Sequence, residues 1–292
     1  SNLFTLMLAE PAEVRLVAPV APEQVAGETW KSLGAQSPGF SIAVTDRYGN
    51  IVSNDQMTDV IISISENSEP VLAGGTLRRR VTSGVAVFDD VTYGQAALLQ
   101  LRASTVPPLL ELAATTVRVV AAHAAAFEVA LQQEGQSIQE AMAGDCLDLR
   151  VVALDRFGNQ DLAYQGTVTL SLSDAHPMAQ HLGGQVFGAS HQGARTLSCA
   201  VRFVSAGSQN VQVNASGVGG DAAVTVQPAG PALLSFVTQP GMTVVGVPIS
   251  PPPALLVSDR YGNLANGQAV PVQMEAVLSD VVVHLNGPQQ QE

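Results

Sequence analysis

Aromatic and charged residues are both scarce in this sequence. Phe, Trp and Tyr make up 4% of its 292 residues and charged residues 13%. Any core must therefore be filled by Val, Leu, Ile and Ala, and 46% hydrophobic residues suffice for more than one modest core. Basic residues are the rarer sign: 13 Lys and Arg stand against 25 Asp and Glu, a net charge of -12. Phosphate backbones are held by Lys and Arg, so this balance argues against nucleic acid as a partner. The one tight basic cluster, Arg78-Arg79-Arg80, reads as a solvated loop or strand edge. Long apolar runs are missing too. The stretch from Leu112 to Phe127 is interrupted by Arg118 and His123 and is shorter than the roughly 18 residues of a membrane helix, so no membrane insertion is expected. Ser1-Asn2-Leu3-Phe4 lacks the basic region of a secretory leader. Two cysteines, Cys146 and Cys199, are too few for a disulfide scaffold and leave the redox compartment open.

Catalytic constellations are also absent. There is no Gly-x-Ser-x-Gly elbow, His-Glu-x-x-His, phosphate-binding Walker loop or Cys-x-x-Cys pair. The sequence therefore assigns no catalytic residue, no cofactor and no metal, and the chain reads as non-enzymatic. His176, His181 and His191, with Asp174 nearby, have spacings that do not enforce convergence on an ion and read as members of a hairpin loop. Asp89 and Asp90, as adjacent strand residues, should face opposite sides. Gly219-Gly220 reads as a turn. Alternation puts Cys146 outside and Cys199 inside, which argues against a bond between them.

What the sequence has in abundance is internal repetition. Asp46-Arg47-Tyr48-Gly49-Asn50 recurs as Asp155-Arg156-Phe157-Gly158-Asn159 and as Asp259-Arg260-Tyr261-Gly262-Asn263, at separations of 109 and 104 residues. That period is one β-sandwich domain. Alternating strands precede each motif (Phe40, Ile42, Val44; Leu149, Val151, Ala153; Pro253, Leu255, Val257) and follow it (Val60, Ile62, Ile64; Val168, Leu170, Leu172; Val270, Val272, Met274). Period two means one buried and one wet face. Leu99 to Ser104 parallels Val211 to Ser216, and Val117 and Val119 parallel Val224 and Val226. The expected organisation is a last strand of a preceding repeat over 1–9, a first repeat over 10–120, a second over 121–228 and an incomplete third over 229–292.

The motif has a local explanation. Asp46, Asp155 and Asp259 can cap their own turns, Gly49, Gly158 and Gly262 supply a positive φ, and Asn50, Asn159 and Asn263 tolerate one. The Tyr or Phe can lie over the mouth of its sandwich. Each motif offers one carboxylate beside an Arg, which is too little for calcium. Asn214-Ala215-Ser216 is an N-glycosylation sequon whose Asn should point outward.

At the Asp-Arg-Tyr/Phe-Gly-Asn motif the sequence resembles the bacterial-immunoglobulin-like and filamin-like repeats of large modular proteins, over nearly its whole length. The resemblance implies an all-β fold of tandem immunoglobulin-like β-sandwiches. It also implies a structural or adhesive role at a cell surface or outside the cell, with neighbouring repeats of the same chain as partners. Two alternatives stay open: recognition of a glycan or another protein through the loops of the second repeat, and a spacer within a large intracellular scaffold.

Overall fold

The computed structural model describes residues 9–34, 39–67, 69–71, 73–109, 112–244, 246–265, 270–278 and 281–284. It is built of β-strands, with one three-residue 3-10 helix and no α-helix among the described residues. The chain divides into two compact units. One comprises residues 1–128 with 152–166 and 187–194; the other comprises 129–151, 167–186 and 195–292. The expected strand over 1–9 lies outside the described residues except for Ala9.

Strands β1 (Glu13–Ala18), β2 (Glu23–Val25), β3 (Phe40–Thr45), β4 (Asp59–Glu66), β5 (Glu69–Pro70), β6 (Arg78–Arg80), β7 (Val85–Phe88), β8 (Ala97–Val106) and β9 (Leu112–Val120) make the first sandwich. One sheet runs β1-β3-β7; the other runs β2-β9-β8-β4-β5, with β6 also on β4. Register follows the apolar alternation: Val14 faces Val44, Leu16 faces Ile42, and Ile62 and Ile64 lie opposite Ala103 and Leu101. The opening segment is shared between sheets. β1 pairs antiparallel with β3, then β2 pairs parallel with the closing strand β9. That switch, with long connections between the sheets, is immunoglobulin-like topology. Between the sheets Trp30, Phe40 and Phe88 are fully buried, with the Phe40 and Phe88 rings stacked at 5.4 Å.

The second sandwich repeats the plan with β10 (Ala126–Gln133), β11 (Gln136–Ser137), β12 (Glu140–Met142), β13 (Leu147–Leu154), β14 (Gly166–Leu172), β15 (Gln180–His181), β16 (Gln185–Phe187), β17 (Ala194–Arg202), β18 (Gly207–Ala215) and β19 (Val218–Gln227). Its sheets run β11-β10-β13-β17-β15 and β12-β19-β18-β14-β16, and β12 again runs parallel to the closing strand. Gly219 and Gly220 sit inside β19, paired with Asn214 and Val213, and not in a turn. The stretch expected as a histidine-bearing loop holds β15, β16 and the 3-10 turn Ala189–His191.

After the second sandwich, β20 (Leu233–Thr238) pairs with β21 (Ala254–Ser258), Leu234 opposite Val257 and Phe236 opposite Leu255. Leu233, Leu234, Phe236 and Val237 are exposed. The strand expected at Val270, Val272 and Met274 does not form; the pairing residues are Glu275–Leu278 with Val281–His284. In the two sandwiches the strand after the motif is held by β8 or β18, and the segment Val270 to Met274 has no such partner strand among the described residues.

Candidate functional site

The three repeated turns share one geometry. The Asp carboxylate Oδ1 accepts two backbone N–H groups: those of Tyr48 and Asn50 on Asp46 (both 2.9 Å), of Phe157 and Asn159 on Asp155 (2.8 and 2.9 Å), and of Tyr261 and Asn263 on Asp259 (2.9 and 2.8 Å). The motif glycines take φ of 86°, 84° and 89°, where a side chain would be strained. The asparagines do not take positive φ; they contribute their side chains instead. Each Asn Nδ2 donates to its Asp Oδ2, at 3.1, 2.8 and 2.7 Å. The same oxygen of Asp155 and Asp259 accepts the backbone N–H of Ala122 and Ala229, and Ala9 donates to Asp46. Each of these alanines stands four residues before an opening strand.

Burial would raise these three carboxyls, but the Asn side chain and the backbone donors outweigh it and hold each below the ordinary carboxylate range. Their oxygens face N–H donors, which leaves them poorly placed to ligate calcium. An exposed arginine stacks on each ring, with Arg47, Arg156 and Arg260 all 4.7 Å from the ring centroid.

Around this common turn the surroundings differ. The Phe157 ring does not close its own sandwich: it packs against the core of the first copy, over Gly27 and Gly94. A Cβ at Gly27 would run into that ring. Beside it Asn159 donates to the Gly94 carbonyl and accepts the N–H of Ala96, both at 2.8 Å. The third turn repeats the arrangement. Asn263 donates to the Val204 carbonyl (2.7 Å) and accepts the Ala206 N–H (2.8 Å), and the Tyr261 hydroxyl lies where a Cβ of Gly144 would be. Each amide thereby uses both N–H groups and its oxygen. In the first turn Asn50 bonds, among the described residues, only within its own motif, and Tyr48 is 68% exposed.

The notch under each ring is itself repeated. Gly27 and Gly144 have φ of 72° and 94° and sit in tight turns closed by Glu28 N–H to Val25 O and Asp145 N–H to Met142 O. Gly246 (φ 85°) sits in the same turn, closed by Val247 N–H to Val244 O, with nothing near its missing Cβ. Sequence reasoning missed these glycines, although Val25-Ala26-Gly27-Glu28 and Met142-Ala143-Gly144-Asp145 are a readable match. It also missed the purpose of Asp174. That buried carboxylate accepts the N–H groups of Val204 and Ser205 and the Ser205 hydroxyl, and so fixes the loop that receives Asn263.

Two further expectations are corrected. Cys146 and Cys199 are joined in a disulfide, with Cα atoms 4.9 Å apart. Cys199 takes φ 48°, breaks the alternation of β17 and turns outward, so Ala200 and Val201 are both buried after it. Asp89 and Asp90 follow the end of β7 and converge on Arg79, at 2.8 and 2.9 Å. Arg78 and Arg80 both pair with Asp59, so the basic cluster is a strand neutralised by carboxylates. His176 accepts from Met178 N–H and His191 from Gly188 N–H through Nδ1. No group of three or more potential metal ligands occurs among the described residues. Asn214 is exposed on β18.

The sequence matches no protein-family model and no curated protein. Solved structures with a similar course of chain include FdeC, an Escherichia coli adhesin (TM-score 0.41, 16% identity, 93% of this chain and 82% of that one). A glycosyl hydrolase family 2 member from Bacteroides cellulosilyticus matches with TM-score 0.30 and 15% identity, over 73% of this chain and 28% of that one. A C-terminal 282-residue fragment of intimin, solved with the intimin-binding domain of its translocated receptor, matches with TM-score 0.29 and 12% identity, over 78% of this chain and 67% of that one. At such distances none of these likenesses transfers a function.

Proposed function

We propose that this chain is a non-enzymatic structural or adhesive spacer segment of a larger multi-repeat protein, at the cell surface or outside the cell. The observation that carries this reading is the repeated seating of one copy's turn on the copy before it: Phe157 and Asn159 on Gly27, Gly94 and Ala96, then Tyr261 and Asn263 on Gly144, Val204 and Ala206. On this reading residues 10–120, 121–228 and 229–292 are successive repeats. A satisfied amide and a ring over glycine at each junction would resist bending, as a spacer requires. The Cys146–Cys199 bond supports an oxidising compartment, since disulfides persist there and are rare in the cytosol. No helix among the described residues is long and apolar enough to cross a membrane.

Small-angle scattering tests the spacer role. The expected result is an elongated particle whose dimensions do not change when salt is raised; a compact globule would sink the proposal. Thiol labelling of the protein taken from its native source tests the location, with both cysteines expected to be blocked until a reductant is added.

A further inference from the structure

We infer that Tyr48 and Asn50 form a docking surface for one more immunoglobulin-like sandwich, standing upstream in the same polypeptide. That sandwich would present a left-handed glycine turn beside a loop with a carbonyl and an N–H two residues apart. This deepens the spacer reading and rests on it.

The chain itself shows what this turn binds. Twice the same five-residue motif lays its ring on a glycine notch and bridges its asparagine to a carbonyl and an N–H, at Gly94 and Ala96 and at Val204 and Ala206. The first turn has the same backbone, the same carboxylate cap and the same arginine stacked on its ring, yet among the described residues its hydroxyl meets only Arg47 and its amide only Asp46. Asn50 is exposed where Asn159 is buried, and among the described residues no donor reaches its Oδ1 as Ala96 reaches that of Asn159. The ring under its arginine and the amide on its Asp repeat the local contacts of the two engaged turns, which lowers the cost of ordering them on a partner. The connection that would lead in from such a sandwich is also set. Ala9 donates its N–H to Asp46 as Ala122 and Ala229 donate to Asp155 and Asp259. In both of those cases the alanine follows a closing strand by two residues, β9 ending at Val120 and β19 at Gln227. The occupant is therefore placed in line, delivered by the chain ahead of Ala9, and a second free copy is the less favoured source.

The test adds an upstream neighbour to residues 9–292. Residues 10–121, carrying Tyr48→Phe, are placed directly ahead of residue 9, so that Ala9 stands where Ala122 stands in the natural junction. Nitration of the remaining Tyr48 is followed by peptide mass spectrometry, beside the unfolding midpoints of Asn50→Ala variants made in the original part of each protein. In the extended protein Tyr48 nitration is expected to slow by about tenfold, the factor that 1.4 kcal/mol of protection confers. Asn50→Ala is expected to lower the midpoint there clearly more than in the 292-residue chain, where it loses only its bond to Asp46. Equal nitration in both proteins, with the same small effect of Asn50→Ala in both while Asn159→Ala lowers the midpoint more, would overturn the inference and leave the scattering test of the spacer reading untouched. Protection of Tyr48 that grows with the concentration of the unextended chain would overturn it as well, because the occupant would then be a second copy.

Discussion

The first and second sandwiches carry the same motif and finish it differently. Asp46 and Asp155 cap their turns with the same pair of N–H groups, and Arg47 and Arg156 stack on the following ring at the same distance. Yet Tyr48 and Asn50 lie in solvent, while Phe157 lies on the first core and Asn159 is 8% exposed with every polar atom partnered. The turn therefore forms before its ring and the oxygen of its amide are engaged, and those groups can bind something beyond it. The sandwiches also close their cores by different means. The first sets Trp30 tilted against the stacked rings of Phe40 and Phe88; the second sets Tyr164 edge-on between Phe127 and Phe187 and adds the Cys146–Cys199 bond.

The disulfide gives the largest expected contrast. It spans 53 residues of the second sandwich, and releasing a loop of that length costs about 4 kcal/mol in chain entropy. A Cys146→Ser, Cys199→Ser double variant should lose that stability from the second sandwich alone. Trp30, the one tryptophan, reports on the first sandwich, and its fluorescence transition in denaturant should hold its midpoint while the far-ultraviolet circular dichroism transition splits. A common shift of both signals would mean that the two sandwiches unfold as one.

The glycine notches come next. Gly27→Val forces a β-branched residue into a left-handed conformation and into the Phe157 ring, for a loss of about 3 kcal/mol. Gly246→Val meets only the backbone term, about 1 to 2 kcal/mol, because nothing stands near its Cβ. Equal losses in chemical denaturation would show that Phe157 does not press on Gly27. Smaller again is the amide itself. Asn159→Ala should cost about 1 to 2 kcal/mol by leaving the Gly94 carbonyl and the Ala96 N–H without a partner, and Asn50→Ala less than about 0.5 kcal/mol.

Acidity should have the mildest effect near neutral pH. Asp46, Asp155, Asp174 and Asp259 are all held below the ordinary carboxylate range: burial acts to raise them, and their hydrogen-bond donors overcome it. A carboxyl with a lower value when folded contributes its full stability above the unfolded value of about 3.9 and loses it as the pH falls through the folded one. Denaturation midpoints should thus be flat from pH 7 to about 5 and fall below about 4, and Asp174→Asn should flatten part of that fall.

Much of the fold is legible in the alternation of Phe40, Ile42 and Val44, of Val60, Ile62 and Ile64, and of their counterparts, because a half-buried strand must alternate. The disulfide is not, because one left-handed residue at Cys199 resets the parity that assigns faces, and a slip of one residue reverses every inference after it. The strand expected at Val270 to Met274 fails for a related reason: alternation marks a strand able to pair and says nothing about the presence of its partner. The motif residues announce a turn, but the use of Asn159 and Phe157 depends on Gly27 and Gly94, far away in sequence and marked by no periodicity. Only the matching Val-Ala-Gly-Glu and Met-Ala-Gly-Asp segments hint at it, and Asp174 carries no local signal at all.

The central claim is that the motif asparagine binds the copy before its own, and backbone hydrogen exchange at Ala96 tests it most directly. The Ala96 N–H donates to Asn159 Oδ1 and the Ala206 N–H to Asn263 Oδ1. In the Asn159→Ala variant the account predicts faster exchange at Ala96 with Ala206 unchanged, and the reverse pattern in Asn263→Ala. Unaltered protection of Ala96 in Asn159→Ala would contradict it.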